Sequence, residues 1–254
     1  MSAMYESEKL LAEYLLFHFG SDEEVLPPEV SWPSGMHDAL GFPCRTVAHF
    51  GDFRVARGLD LGCAVGRSTF EMTKNCDSVL GIDFSQSFVV AATALARGES
   101  VPYERLEEGR FSTPLAACVP EGIDRSRVEF RQGDATNLPA DLGKFDRVHA
   151  ANLLCRLPDP RRLLAAFPEL VRSGGELVLA TPCTWLEEFT PRLHWPIGST
   201  FDFLAATLAP AFQLVSSSDE PFLIRESARK FQWSRSLVTV WHRVSEPATV
   251  VSPL

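Results

Sequence analysis

The chain is short of what a metal site or a disulfide framework needs. Its six cysteines, Cys44, Cys63, Cys76, Cys118, Cys155 and Cys183, form no Cys-x-x-Cys pair, so free thiols are the expectation. Its six histidines, at 18, 37, 49, 149, 194 and 242, give no His-x-x-x-His or His-Glu-x-x-His helix pattern, and no metal is expected. No run of about 18 apolar residues signals a membrane span. The N-terminus lacks a basic region followed by an apolar core and a cleavage site, which makes cytoplasmic residence the expectation. Positive charge is scarce as well. Lys and Arg number 24 against 33 Asp and Glu, a formal net charge of -9, and this argues against a nucleic acid held through its phosphates. Internal repeats and low-complexity tracts are missing, and only the last ten residues read as a tail. The 254 residues are 45% hydrophobic, enough to bury one sizeable core. A single domain over 1–254 is expected, with an N-terminal helix and wrapping segment over 1–56 and the core over 57–243.

Against these absences stands one pair of segments. Residues 59 to 66 read Leu-Asp-Leu-Gly-Cys-Ala-Val-Gly and residues 81 to 84 read Gly-Ile-Asp-Phe. Asp60 and Asp83 are 23 residues apart, which fits a strand, a glycine-bearing turn, a helix and a second strand ending in an acid. An α/β sheet holds a nucleoside in this way. Gly62 and Gly66 let the backbone turn tightly and approach a ligand, while an acid ending the second strand accepts both hydroxyl hydrogens of a ribose. The glycines stand as G-x-x-x-G, so the dinucleotide pattern G-x-G-x-x-G is absent, as is the phosphate loop G-x-x-x-x-G-K-[ST].

Around this pair the chain alternates strand and helix. An amphipathic helix spans 7 to 19, with Leu10, Leu11, Tyr14, Leu15 and His18 on one side and Gly20 as its stop. The segment 21 to 56 reads as loops with short helix. Strands are expected near 57–62, 78–83, 128–132, 145–151, 176–180, 212–216 and 236–243, with helices near 66–75, 87–97, 160–171 and 201–209. Residues 99 to 127 read as an insertion, a candidate β-ribbon. Strands alternating with helices mean a mainly parallel sheet covered on both faces. In such a sheet ligands bind beyond the carboxyl ends of the strands. That rule selects Asp60, Gly62, Cys63 and Gly66, then Asp83, Phe84 and Ser85, then Asp134 and Ala135, then Asn152, and finally the stretch from Thr181 to Glu188.

The D-L-G-x-x-x-G spacing, the acid at Asp83 and the Gln-Gly-Asp-Ala at 132 to 135 resemble the class I S-adenosylmethionine methyltransferases, an α/β Rossmann-like fold. That resemblance implies S-adenosylmethionine as methyl donor and S-adenosylhomocysteine as product. It places the first acid near the methionine moiety, the second on the ribose and the third at the adenine. Ala64 stands where glycine is commoner, a small steric change. After strand four the Asn/Asp-Pro-Pro-Tyr/Phe segment that holds a flipped base is absent, which turns the reading toward a small-molecule acceptor.

The segment Thr181-Pro182-Cys183-Thr184-Trp185-Leu186-Glu187-Glu188-Phe189-Thr190-Pro191 puts a tryptophan and two acids just beyond strand five, an aromatic wall with an anchor for a cationic or N–H-bearing acceptor. Further on, Arg225 is a bidentate carboxylate donor by type. Together with Tyr-Glu-Ser at 5 to 7, Phe17-His18-Phe19-Gly20, residues 59 to 67 ending in Arg67, Ala-Ala-Asn-Leu at 150 to 153, Ile-Arg-Glu at 224 to 226 and Arg-Lys-Phe-Gln at 229 to 232, the chain resembles the C-terminal methyltransferase domain of ovothiol synthase over nearly its whole length. The resemblance implies methyl transfer to the π nitrogen of 5-thiohistidine, or of its seleno analogue. The iron-binding sulfoxide synthase part of that family is missing from this chain, so a separate sulfur- or selenium-inserting enzyme is implied. Under this reading Arg225 binds the amino-acid carboxylate, Trp185 and Tyr14 wall the imidazole, and Asn152 faces both ligands. The candidate bases are Glu187, then Glu188 and His18. Two alternatives stay open: a methyltransferase for a protein histidine or another small amine, and a non-catalytic cofactor-binding regulator.

Overall fold

A computed structural model describes residues 6–244; Tyr5 of the N-terminal motif and the expected tail lie outside the described residues. Helix α1 spans Glu8–Phe19 and starts where Ser7 accepts the Leu10 N–H (3.3 Å), a side-chain cap that satisfies one of the helix's unpaired donors. The segment that follows holds two short helices, α2 (Asp22–Val25) and α3 (Phe42–Val47). From there β1 (Val55–Leu61), α4 (Arg67–Met72), β2 (Cys76–Asp83) and α5 (Gln86–Ala96) form the first two strand–helix units. The insertion is a hairpin, β3 (Val101–Glu108) and β4 (Phe111–Ala117). Then come β5 (Val128–Gln132), β6 (Phe145–Ala151), α6 (Pro160–Leu170), β7 (Val171–Thr181), α7 (Thr200–Leu208), β8 (Phe212–Arg225) and β9 (Phe231–Arg243).

Seven strands make one sheet in the order β5-β2-β1-β6-β7-β9-β8. The first five are parallel; β9 runs antiparallel to them, and β8, antiparallel to β9, forms the edge. Helices cover both faces of the central strands: Leu59, Leu61, Val148, Ala150, Leu177 and Leu179 are fully buried, and so are Asp60 and His149 between them. Each of the leucines and the valine stabilises the fold by about 1.5–3 kcal/mol. The chain order reverses between β1 and β6, which opens a crevice at their carboxyl ends. Helix α1 and the β8–β9 hairpin roof that crevice. Leu15 and Leu16 are buried in a cluster with Phe88 and Leu223.

The last two strands differ from expectation. Strand β8 runs 14 residues and β9 runs 13, well past the expected ends at 216 and before 236. Their far halves leave the sheet core to pack on α1, and the stretch Ser217-Ser218-Asp219-Glu220-Pro221 hid this because it lacks strand-like residues. Pro221 is tolerated because β8 is the edge strand, with one side of its backbone unpaired.

Candidate active site

Strand ends β1, β2, β5, β6 and β7 open onto a cavity of about 370 Å³. Gly62 and Ala64 border it after β1, Asp83, Phe84 and Ser85 after β2, Gly133 and Ala135 after β5, and Asn152 after β6. The backbone is strained along this edge. Ala64, Asn152 and Cys183 are the non-glycine residues with positive φ among the described residues, at +48°, +56° and +56°. Such conformations cost L-residues energy and concentrate where a ligand must be met.

Asp83 is the centre of the turn. Its Oδ2 accepts the Ala64 N–H and its Oδ1 the Ser85 N–H, both at 2.9 Å. Burial pushes the carboxyl up to about 6, against the pull of those backbone donors. Each oxygen keeps acceptor capacity toward the cavity, and an ionised, half-satisfied carboxylate in such a place favours two further O–H donors. Phe84 beside it is 42% exposed and presents a flat apolar surface. These residues fit a nucleoside donor: a ribose diol on Asp83 and a base against Phe84.

The other acid of the first turn stands elsewhere. Asp60 is fully buried behind the turn, where its Oδ2 accepts the Ser68 and Thr69 hydroxyls (2.8 and 2.7 Å) and its Oδ1 lies 2.8 Å from His149 Nδ1. Burial pushes this carboxyl up, but His149 and the two hydroxyls outweigh burial and leave it below the ordinary range. Asp60 therefore shapes the turn and does not border the cavity. Cys63, Gly66, Arg67 and Asp134 are corrected in the same way. Cys63 is buried, with its thiol raised by burial and by Asp83 and Asp60. A Cβ on Gly66 would collide with Phe130 (2.6 Å), so this glycine serves close helix–sheet packing. Arg67 turns to the Cys44 sulfur (3.1 Å) and Glu71. The Asp134 carboxylate binds the Thr136 N–H and hydroxyl (2.8 and 2.7 Å) while its neighbours Gly133 and Ala135 border the cavity.

The acceptor side is built by α1, the β7 loop and the β8–β9 turn. Tyr14, Phe17 and His18 form one wall; Tyr14 stacks on His18 (5.9 Å) and leans on Phe88 (4.9 Å). His18 accepts the Arg67 N–H at Nδ1 (3.3 Å), and burial, with Arg67 adding to it, lowers its pKa to about 3. The ring is neutral with its proton on Nε2, which makes His18 a donor and removes it as a base. Glu188 borders the cavity. Glu187 does not: it is exposed and pairs with Arg192 (3.0 Å). Trp185 packs against the core and donates its indole N–H to Thr200 (3.0 Å). Arg225 is buried, bound to the Val25 carbonyl (3.0 Å) and the Glu107 carboxylate (2.7 Å). Neither Trp185 nor Arg225 reaches the cavity. Asn152 does, with Oδ1 accepting the Ser236 hydroxyl (2.6 Å).

Glu13, Arg156, Glu226 and Gln232 also border the cavity; none is a candidate site residue by sequence, although Glu226 and Gln232 stand in segments that carry the resemblance. For Glu13 the signal existed: Leu10, Glu13, Tyr14, Phe17 and His18 follow the helical period and share one stripe. Arg156 gave no signal. It is the one cationic side chain among the described residues that border the cavity, against four acids, Glu13, Asp83, Glu188 and Glu226. Among the described residues, no group of His, Cys, Asp and Glu is placed to hold a metal ion, and no helix is long and apolar enough to cross a membrane.

A family model described as a methyltransferase domain matches residues 59–179, the span from the Asp60 turn through β7. Demethylmenaquinone methyltransferase from Lactococcus lactis subsp. lactis is 26% identical over 195 residues, covering 74% of this chain and 61% of that protein. Ubiquinone biosynthesis O-methyltransferase from Pseudomonas paraeruginosa is 27% identical over 159 residues, covering 62% of this chain and 52% of that protein. The chain thus spans between half and two thirds of the length of these relatives. Among solved structures, the N-methyltransferase NodS from Bradyrhizobium japonicum in complex with S-adenosyl-L-homocysteine superposes with a TM-score of 0.53 at 16% identity, covering 92% of this chain and 98% of that one. The sheet order and the turn are those of the class I methyltransferase fold. Residues 59–179 carry a methyltransferase domain.

Proposed function

We propose that the chain methylates the imidazole π nitrogen of 5-thiohistidine, or of its seleno analogue. One observation carries this reading. The segments by which the chain resembles the ovothiol synthase domain lie far apart in sequence, yet Phe17 and His18, Thr184, Leu186, Glu188 and Phe189, and Ile224, Glu226 and Gln232 all border the cavity on which Gly62 and Asp83 open. When bound, S-adenosylmethionine supplies an electrophilic methyl on a sulfonium sulfur.

The chain's own residues supply the rest. Tyr14, Phe17 and Phe88 offer aromatic surface to a flat ring, and the His18 Nε2–H is a fixed donor that can orient it. Orientation decides the product, because a thiolate is the better nucleophile and must be turned away from the donor. Arg156 takes over the carboxylate role expected of Arg225, and Glu188 is the remaining candidate acceptor for the ring proton that must leave before attack.

Purified protein incubated with S-adenosylmethionine and, in parallel, histidine, 5-thiohistidine and its seleno analogue tests this, with products mapped by mass spectrometry and NMR. N-methylation of the chalcogen-bearing substrates alone is expected. Donor binding with no methylation of either would overturn it. A second reading, a different small amine as acceptor, is favoured by the acidic lining, and turnover of an amine without a thioimidazole would reveal it.

A further inference from the structure

Two carboxylates of the cavity have no task in holding the donor. Glu13 comes from the middle of α1 and Glu226 follows the last residue of β8, yet both border the cavity on the side of Tyr14 and Gln232. Burial raises the Glu13 carboxyl above its ordinary range, and the negative charge of Glu226 acts in the same direction, against Lys9 and Lys230. The Glu13 Oε1 is buried and has no hydrogen-bond partner, with Lys9 Nζ 3.6 Å away. Lys9 pairs with Glu13 and Lys230 with Glu226 from outside the cavity, 65% and 71% exposed, and ion pairs so exposed offset little of the like-charge cost.

An acceptor oxygen left without a donor inside a protein is unfavourable, and two like charges facing one space make it more so. A ligand ammonium corrects both faults with one positive charge and three N–H donors. Amides of Gln232 and Asn152 border the same cavity, but they bring no charge. We propose that Glu13 and Glu226 clamp the α-ammonium of the acceptor, so that the enzyme takes a free amino acid or amine and rejects one whose nitrogen is acylated. This rests on the reading that the cavity receives the acceptor. It separates a free histidine derivative from a histidine within a peptide chain, whose α-nitrogen is a neutral amide.

The test uses the whole protein loaded with S-adenosylhomocysteine. Calorimetric binding of 5-thiohistidine and of its Nα-acetyl derivative is compared for the native chain, Glu13→Gln and Glu226→Gln, with turnover measured separately. Acetylation and each substitution are expected to weaken binding about ten- to hundred-fold. The substitutions should leave the affinity for S-adenosylhomocysteine within about two-fold, since neither residue touches the donor turn. Equal binding of the free and acetylated compounds overturns the clamp while turnover still supports the methyltransferase reading. Selective binding of the free compound without turnover sustains the clamp and removes the assigned reaction. Binding of neither compound overturns both.

Discussion

Asp83 is held between two opposing demands. Burial raises its pKa from 3.8 to about 6, so between these values the folded, ligand-free protein binds more protons than the unfolded chain. Its contribution to stability is therefore complete below about pH 4 and is lost as pH rises through about 6. Binding of a ribose diol on Asp83 would run the other way, because two hydroxyl donors require the ionised carboxylate as acceptor. Affinity for S-adenosylhomocysteine is expected to be flat above about pH 7 and to fall up to about tenfold per unit below 6, with proton release on binding near pH 6. Calorimetry in buffers of different ionisation enthalpy checks this, and an affinity independent of pH would remove Asp83 from the ribose. The residue itself was legible in sequence because an acid directly after a strand is placed by the strand. His18 was legible as a site residue but not in its role, since only the Arg67 N–H on Nδ1 shows which nitrogen carries the proton.

At the scale of elements, Arg225 is a tie between parts. It joins the end of β8 to the β3–β4 hairpin through Glu107 and to the carbonyl of Val25 in α2, and Arg105 reaches the Glu24 carbonyl beside it (2.7 Å). Arg225→Ala is expected to cost about 3 kcal/mol of stability by leaving buried partners unpaired. Its effect on the KM for the acceptor in the protein that remains folded should stay within about two-fold. Thermal melts together with kinetics decide it, and a KM effect without a stability effect would return Arg225 to the binding site. Core strands and helices were legible within a few residues because their apolar periods are local. The far halves of β8 and β9 were not. They are held as strands by pairing with each other and by packing on α1, which no local pattern of serine, aspartate and proline announces.

For the molecule as a whole, the donor crevice joins two halves of the sheet, so filling it should stabilise the entire fold. S-Adenosylhomocysteine at about a hundred times its dissociation constant adds about 2.7 kcal/mol, a rise in Tm of roughly 5–10 °C for a chain of this size. Asp83→Ala should abolish that rise in a melting curve, and a full shift in this variant would place the donor elsewhere. The sequence by itself determined the α/β architecture, the glycine turn after β1 and the acid that ends β2, because strand, glycine turn and helix are contiguous and obey local sterics. Tertiary structure decided which polar side chains meet the acceptor. Trp185, Glu187 and Arg225 lie in the most distinctive segments but face core, solvent and a buried ion pair. Glu13 and Glu226 face one cavity only because the roof folds over the sheet, and the direction of a side chain is fixed by packing between elements far apart in the chain.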